Sequence, residues 1–254
     1  MKLATWNVNS IRARLDRLCA WLAAERPDVL CLQETKVEDA SFPEGPLRAL
    51  GYELALHGQR TYNGVAILSR RPVEDVARGF ASGPEDPQAR LLSATIGGVR
   101  IVDAYAPNGE APGTEKFAYK LAWLARLAEE LAGRTAGPLA LAGDLNVAPE
   151  DADVYDPAAF AGDTLTDAAA RAGFAGLLSA GLVDGFRRMR PEPGLYSWWD
   201  YRQLAFPKDH GARIDHVLVS RALVPSLRAA RIDRDERKGK GASDHAPVLV
   251  ELAG

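Results

Sequence analysis

Residues 139–146 read Leu-Ala-Leu-Ala-Gly-Asp-Leu-Asn. Four apolar residues without polar alternation mark a strand buried on both faces, and the glycine, acid and amide that follow end it abruptly. The same order stands near the start, where Val29-Leu30-Cys31-Leu32 runs into Gln33-Glu34. Outward from these two, residues 2–6 form a strand broken at Asn7-Val8-Asn9-Ser10, and residues 11–24 a helix with Leu15, Leu18 and Leu22 on one face. Strands are predicted at 52–57, 64–69, 91–96 and 99–105, the last two joined as a hairpin by Gly97-Gly98. Residues 114–131 are an amphipathic helix with Phe117, Leu121, Leu124, Leu127 and Leu131 on one side. A mixed loop-and-helix stretch covers 146–182, and strands follow at 196–200, 214–220, 227–232 and 247–252. The second half thus starts over in the manner of the first, with no residue-level repeat and no Pro/Ser-rich linker between them. The simplest architecture is one domain over residues 1–254, α+β in class, with two packed sheets and helices outside them.

Composition narrows the function classes. At 254 residues with 47% hydrophobic and 26% charged residues, the chain can bury a core without disulfides or a structural metal. Cys19 and Cys31 are its two cysteines, which excludes a disulfide framework and a CxxC zinc site, and both read as small buried hydrophobes. The N-terminus turns polar by Asn7 and lacks a signal-peptide core, and no apolar run approaches the roughly 18 residues of a membrane span. The expectation is a cytoplasmic protein with no membrane partner. A formal charge of −3 argues against a protein that coats nucleic acid, but a nuclease needs only a local basic track beside an acidic metal site. Between residues 135 and 170 there are seven acids and no Lys, Arg or His, so that stretch is a poor direct contact for phosphate.

Polar residues gather at the strand ends: Asn7 and Asn9, Glu34, Tyr105 and Asn108, Asp144 and Asn146, Asp215, and Ser243-Asp244-His245. Each alone reads as a turn residue or helix cap. Together they supply carboxylates and amides for a hard cation, plus one imidazole, and Mg²⁺ takes one or two carboxylates along with waters and substrate phosphate oxygens. That suits metal-assisted phosphoryl chemistry better than zinc hydrolysis. A Walker-type phosphate loop, a GxSxG elbow and an HExxH zinc motif are all absent from the sequence.

Nine segments in order resemble the exonuclease III family of AP endonucleases, within the deoxyribonuclease I-like phosphoesterases. They are TWNVNSIRARL (5–15), LQETKV (32–37), GYELALHGQRTYNGVAILSR (51–70), YAPNG (105–109), GDLNVAP (143–149), GLVDGFR (181–187), YSWWDYR (196–202), RIDHVLVS (213–220) and SDHAPV (243–248). The resemblance spans nearly the whole chain and implies a four-layered α/β sandwich. It also implies a Mg²⁺-dependent hydrolase, with Mn²⁺ able to substitute, that cuts duplex DNA 5′ to abasic sites and trims 3′ ends as a monomer.

By that resemblance Glu34 binds the metal with Asn7 nearby, and Asp244 is either a further metal contact or an orienting neighbour. Asp144 orients and deprotonates the attacking water, and Asn146 holds Asp144 or the water in place. Asp215 pairs with His245 to leave a cation aimed at the scissile phosphate. Tyr105 and Asn108 donate to the phosphate oxygens, Arg90 in DPQAR grips the DNA backbone, and Lys36 tempers the metal site's negative charge. Trp198 and Ile214 match two walls of a small apolar pocket that refuses an intact base, whereas Trp199 is assigned to the core.

Two departures stand out. Ala212 replaces a larger apolar residue, which predicts a looser pocket and appreciable exonuclease activity, and 165–178 is less charged than the corresponding family helix. His57 and His210 take structural readings, and His216 is expected to face away from Asp215. The run 228–240, with six basic and three acidic residues, reads as a solvated edge. Two other readings stay open: a phosphoesterase for small or lipid phosphates, which has no need of Lys36, Arg90 or YSWWDYR, and a non-catalytic RNA-associated regulator, which has no need of the metal ligands.

Overall fold

The structure, a computed structural model, describes residues 1–253. In chain order its elements are β1 (Lys2–Asn7), α1 (Ile11–Glu25), β2 (Val29–Gln33), α2 (Glu44–Ala49), β3 (Glu53–His57), β4 (Val65–Ser69), β5 (Glu74–Arg78), β6 (Leu91–Ile96) and β7 (Val99–Tyr105). There follow α3 (Glu115–Ala132), β8 (Leu139–Asp144), α4 (Ala168–Ser179), β9 (Leu182–Asp184), α5 (Gly185–Met189), α6 (Ala205–Lys208), β10 (Asp215–Ser220), β11 (Leu227–Ile232) and β12 (Val248–Leu252).

The strands form two six-stranded mixed sheets, in the orders β11-β12-β1-β2-β4-β3 and β5-β6-β7-β8-β10-β9. One parallel pair sits in each sheet, β1 with β2 and β7 with β8. Strands with apolar residues on both faces demand cover on both sides. Val29, Cys31, Ile67, Ala140, Ala142, Val217 and Val250 pack the two sheets together. On the outer faces α1 covers the first sheet through Leu18, Trp21 and Leu22, and α3 with α4 covers the second through Leu124, Leu127, Phe174 and Leu177. Helix, sheet, sheet and helix make the four layers the sequence resemblance implies.

Register decides where the chemistry falls. Asp144 lies opposite Tyr105 on one side and opposite Asp215 on the other, so β7, β8 and β10 end in a single row. Across the sandwich Asn7 is level with Gln33, and Glu34 is one residue further along. Gly143 makes the row possible, because a Cβ there would lie 1.9 Å from the Ala104 carbonyl oxygen. Between the sheets, just behind this row, Gln33 Nε2 donates to Asp103 Oδ1 at 2.7 Å and to Thr5 Oγ1 at 3.0 Å. Burial holds the Asp103 carboxyl well above the usual carboxylate range.

Two strands escape the sequence reading, and one expected strand is not formed. All five residues of β5 are exposed, so it carries no apolar signal, and β9 is three residues long. Residues 196–200 make only isolated bridges, Trp198 to Ala212 and Trp198 to His245, because this segment crosses between the two sheets instead of lying in either. Among the described residues no helix is long and apolar enough to cross a membrane.

Candidate active site

Most functional side chains sit at strand ends, with Asp215 opening β10 and Trp198 and His245 on connecting segments. After β2 the chain turns through Glu34 (φ 53°) and Lys36 (φ 57°), and backbone bonds from Ser10 and Ile11 to the Glu34 and Thr35 carbonyls tie this turn to the segment after β1. After β8, Asn146 takes φ 51°, a left-handed conformation that asparagine tolerates better than most residues. The segment 243–245 is pinned to β1 by Ser243 Oγ donating to the Asn7 carbonyl (2.7 Å) and Trp6 Nε1 donating to the His245 carbonyl (3.1 Å). Ser197 Oγ accepts from the Ile214 and Asp215 amides at 3.1 Å each, which brings the Trp198 segment beside β10.

Asn7 bridges the two sheets: its Nδ2 donates to Glu34 Oε1 (2.9 Å) and to Asp144 Oδ2 (3.0 Å). The Tyr105 hydroxyl also donates to Glu34 Oε1 (2.9 Å), and Lys36 Nζ pairs with Glu34 Oε2 (2.7 Å). Although burial opposes it, Lys36 and Asn7 hold the Glu34 carboxyl below its ordinary value, so it is an anion. Asn9 links Lys36 to Asp244, accepting from the lysine at 2.6 Å and donating to the carboxylate at 3.0 Å. Trp198 Nε1 donates to the other Asp244 oxygen at 3.2 Å.

The second half of the site is a buried acid–imidazole chain. Asp215 faces His245 Nδ1 with both oxygens, at 2.9 and 3.1 Å, so Nδ1 carries a proton and Nε2 points towards Asp144 Oδ2 at 3.8 Å. Burial penalises the imidazolium, yet Asp215, Asp144 and Asp244 outweigh it and raise His245 to about 10. Burial also pushes Asp144 up to about 7, against the pull of His245. Asp144 accepts the Asn146 amide at 2.9 Å, and Asn146 Nδ2 donates to the Ala106 carbonyl at 3.0 Å.

These groups line one cavity of about 360 Å³: Glu34, Tyr105, Asn108, Asp144, Asn146, Asp244 and His245 on its polar side, Leu165, Trp198 and Ile214 on its apolar side. A larger cavity of about 510 Å³ lies between α4 and α5 and contains none of them. Chemistry, not size, selects the smaller one. Arg90 stands at an adjoining hollow that shares Asn108, its guanidinium 4.7 Å above the Tyr105 ring. Trp199 is buried with Ala205 and Ala246, as assigned. His216 faces away from Asp215, with Nε2 on the Val147 carbonyl (2.9 Å) and Nδ1 on Arg213 (3.0 Å). His57 ends β3, and His210 stacks on Tyr155 at 4.1 Å.

Ala212 stands behind the apolar wall, in the cluster against which Trp198 packs. It is wholly buried among Val154, Phe160, Leu165 and Ile214 and does not reach the cavity. The wall beside Ile214 is Leu165, from a stretch where the sequence carried no phosphate-binding signal. A second residue missed is Lys120, fully buried in α3 beneath the site, next to Leu121, which packs partly buried against the core. Its signal was a lysine one helical turn from Leu124.

A metal ion fits the donors present. Asp144, Asp215 and His245 bring ligand atoms within 4.8 Å of one another and could hold a cation. Since His245 and Asp215 are consumed by each other, the oxygens that remain for a hard cation are those of Glu34, Asp144 and Asp244, which face the same cavity. Asn7 offers them its N–H, its own Oδ1 being taken by the Asn9 amide at 3.0 Å.

The sequence pattern of the Endonuclease/Exonuclease/phosphatase family matches residues 4–245. Exodeoxyribonuclease III of Haemophilus influenzae is 34% identical over 271 residues, an alignment that takes in 99% of this chain and 100% of the relative. A 3′ phosphatase from Neisseria, solved bound to a product DNA hairpin, superposes with a TM-score of 0.97 at 42% identity over the whole of both chains. An AP endonuclease from Archaeoglobus fulgidus gives a TM-score of 0.96 at 37% identity, covering 99% of each. The chain belongs to the endonuclease/exonuclease/phosphatase family, in its exonuclease III group.

Proposed function

We propose that this chain, acting as one catalytic domain over residues 1–254, is a Mg²⁺-dependent DNA repair nuclease that hydrolyses duplex DNA 5′ to abasic sites and removes nucleotides or blocks from 3′ ends. The observation that carries the reading is the single cavity in which Glu34, Asp144 and His245 face an apolar wall of Trp198, Ile214 and Leu165. A bound divalent ion on Glu34, with Asp144 and Asp244 beside it, supplies charge neutralisation at the phosphoryl oxygens. Mn²⁺ has the same oxygen preference.

The protein's own groups divide the remaining work. Asp144, oriented by Asn7 and the Asn146 amide, takes a proton from water on its free edge. Asp215 keeps His245 cationic, with Nε2–H aimed into the cavity to stabilise charge as it develops on the phosphate. Asn108 donates to a phosphate oxygen, Tyr105 does so by turning its one O–H from Glu34 to the phosphate, and Lys36 offsets the negative charge of Glu34 directly and of Asp244 through Asn9. Arg90, at the adjoining hollow, takes the next phosphate of the strand. The apolar wall accommodates a baseless sugar and leaves the polar edge of an intact base without partners. DNA is thus the partner, a monomer suffices because one chain supplies every group, and a bacterial-type cytoplasmic enzyme is the setting.

The test is incision of a duplex carrying one synthetic abasic site, with Mg²⁺ or with EDTA, beside an undamaged duplex with a recessed 3′ end. Metal-dependent cutting at the abasic site is expected, and the second substrate measures the exonuclease share. If neither duplex is cut with Mg²⁺ or Mn²⁺, the small- or lipid-phosphate reading or the RNA-associated reading takes over.

A further inference from the structure

Lys120 is wholly buried within α3 and makes no ion pair among the described residues. Its ammonium donates instead to three main-chain carbonyls, those of Asn146 at 2.6 Å, Thr164 at 2.9 Å and Asn108 at 3.1 Å. All three of its donors are used. A buried charge is expensive, and a leucine or methionine on the same apolar stripe would serve α3 better. What an ammonium adds is three divergent donors from one point.

The three acceptors belong to three separate segments: the turn after β7, the loop after β8 and the turn before α4. Each segment carries a cavity group, namely the Asn108 carboxamide, the Asn146 carboxamide and the Leu165 side chain. The two carboxamides hold each other poorly, since Asn108 Nδ2 lies 3.4 Å from Asn146 Oδ1. The turn after β7 rests directly on the lysine stem, where a Cβ on Gly109 would come within 3.0 Å of Lys120 Cδ.

We propose that Lys120 is a positioning residue for phosphodiester hydrolysis, fixing Asn108, Asn146 and Leu165 relative to one another through their main chains. The proposal rests on the reading of the site given above. Lys120 touches no substrate and acts through the three segments. A misplacement of about 1 Å in such a constellation costs on the order of 10²-fold in rate.

The experiment measures kcat and KM on the abasic duplex for Lys120→Met, Lys120→Gln, Leu124→Ala and Asp144→Asn, well below each melting temperature. Leu124, on the same face one turn along and packed on Gly173 of α4, reports the cost of simply loosening α3. Lys120→Met is expected to lose ~100-fold in kcat with KM within ~3-fold of wild type, because the loss is one of geometry. Lys120→Gln, which keeps two N–H donors, should lose ~10-fold, and it carries the test if the methionine variant does not fold. Leu124→Ala should keep the wild-type kcat. Equal kcat in the lysine and leucine variants, or a lysine variant within 3-fold of wild type, overturns the proposal. Should wild type fail to cut, or Asp144→Asn cut normally, the site reading itself falls; an inactive Asp144→Asn beside a fully active Lys120→Met overturns the role of Lys120 alone.

Discussion

Replacing Asp215 by asparagine keeps the shape of the buried pair and removes its charge. Both Asp215 oxygens lie within 3.1 Å of His245 Nδ1, and Asp215 is the leading favourable influence that lifts the imidazolium to about 10 against the cost of burial. An opposite charge at this range shifts a neighbour by about 1–3 pH units, or ~1.4–4 kcal/mol at 1.36 kcal/mol per unit. At pH 8.5 the wild-type ring remains cationic, whereas a ring lowered by about 2 units is mostly neutral. The alkaline limb of kcat against pH, read by single-turnover incision, should therefore move down by ~1–3 units in Asp215→Asn. A titration of the His245 ring by nitrogen-15 NMR should move by the same amount without reference to activity. Stability carries the same sign: the pair's contribution is complete below about pH 6.5, the ordinary histidine value, and is lost as pH rises through about 10. The gap in melting temperature between wild type and variant should thus narrow between these limits. An alkaline limb and an imidazole titration that both stay put in Asp215→Asn would refute the assignment of His245 as a cation held by Asp215.

Three further outcomes follow from other parts of the structure. Glu34→Gln should weaken Mn²⁺ binding, measured by calorimetry without DNA, by about tenfold or more, since it removes the charge of one of the three carboxylates that face the cavity. Arg213→Met strips the buried Asp153 and the half-buried Asp184 of the buried guanidinium that contacts them at 2.6 and 2.8 Å, and should cost ~3–5 kcal/mol in urea unfolding. Gly143→Ala forces a Cβ onto the Ala104 carbonyl and should cost at least ~1–3 kcal/mol, read as a lowered urea midpoint, along with displacement of Asp144.

The strands that carry the site were legible because each is a short apolar run stopped by a polar residue. Asn7, Glu34, Tyr105 and Asp144 stand at such stops and Asp215 at a strand start, and register within the second sheet brings Tyr105, Asp144 and Asp215 level. Less legible was whatever depends on crossing between elements. Residues 196–200 alternate like a strand, yet the segment serves both sheets and belongs to neither. β5 is an edge strand with five exposed residues, so alternation had nothing to report. Ala212 lies in a cluster with Phe160 and Leu165, a packing environment that the sequence does not show. Lys120 hid inside a good amphipathic helix, where only its place on the buried stripe distinguished it from a solvated lysine. The acidic stretch before α4 looked remote from phosphate chemistry, and it supplies an apolar cavity wall through Leu165.

Under the proposed reading, Asp144, set between Asn7, the Asn146 amide and His245, activates the water that breaks the phosphodiester. The direct measurement is single-turnover incision of the abasic duplex by Asp144→Asn with saturating Mg²⁺, alongside the dissociation constant for the same duplex. A rate reduced by on the order of 10³-fold or more with DNA affinity within a few-fold of wild type is the predicted result. A variant that still cuts within tenfold of wild type would contradict the account.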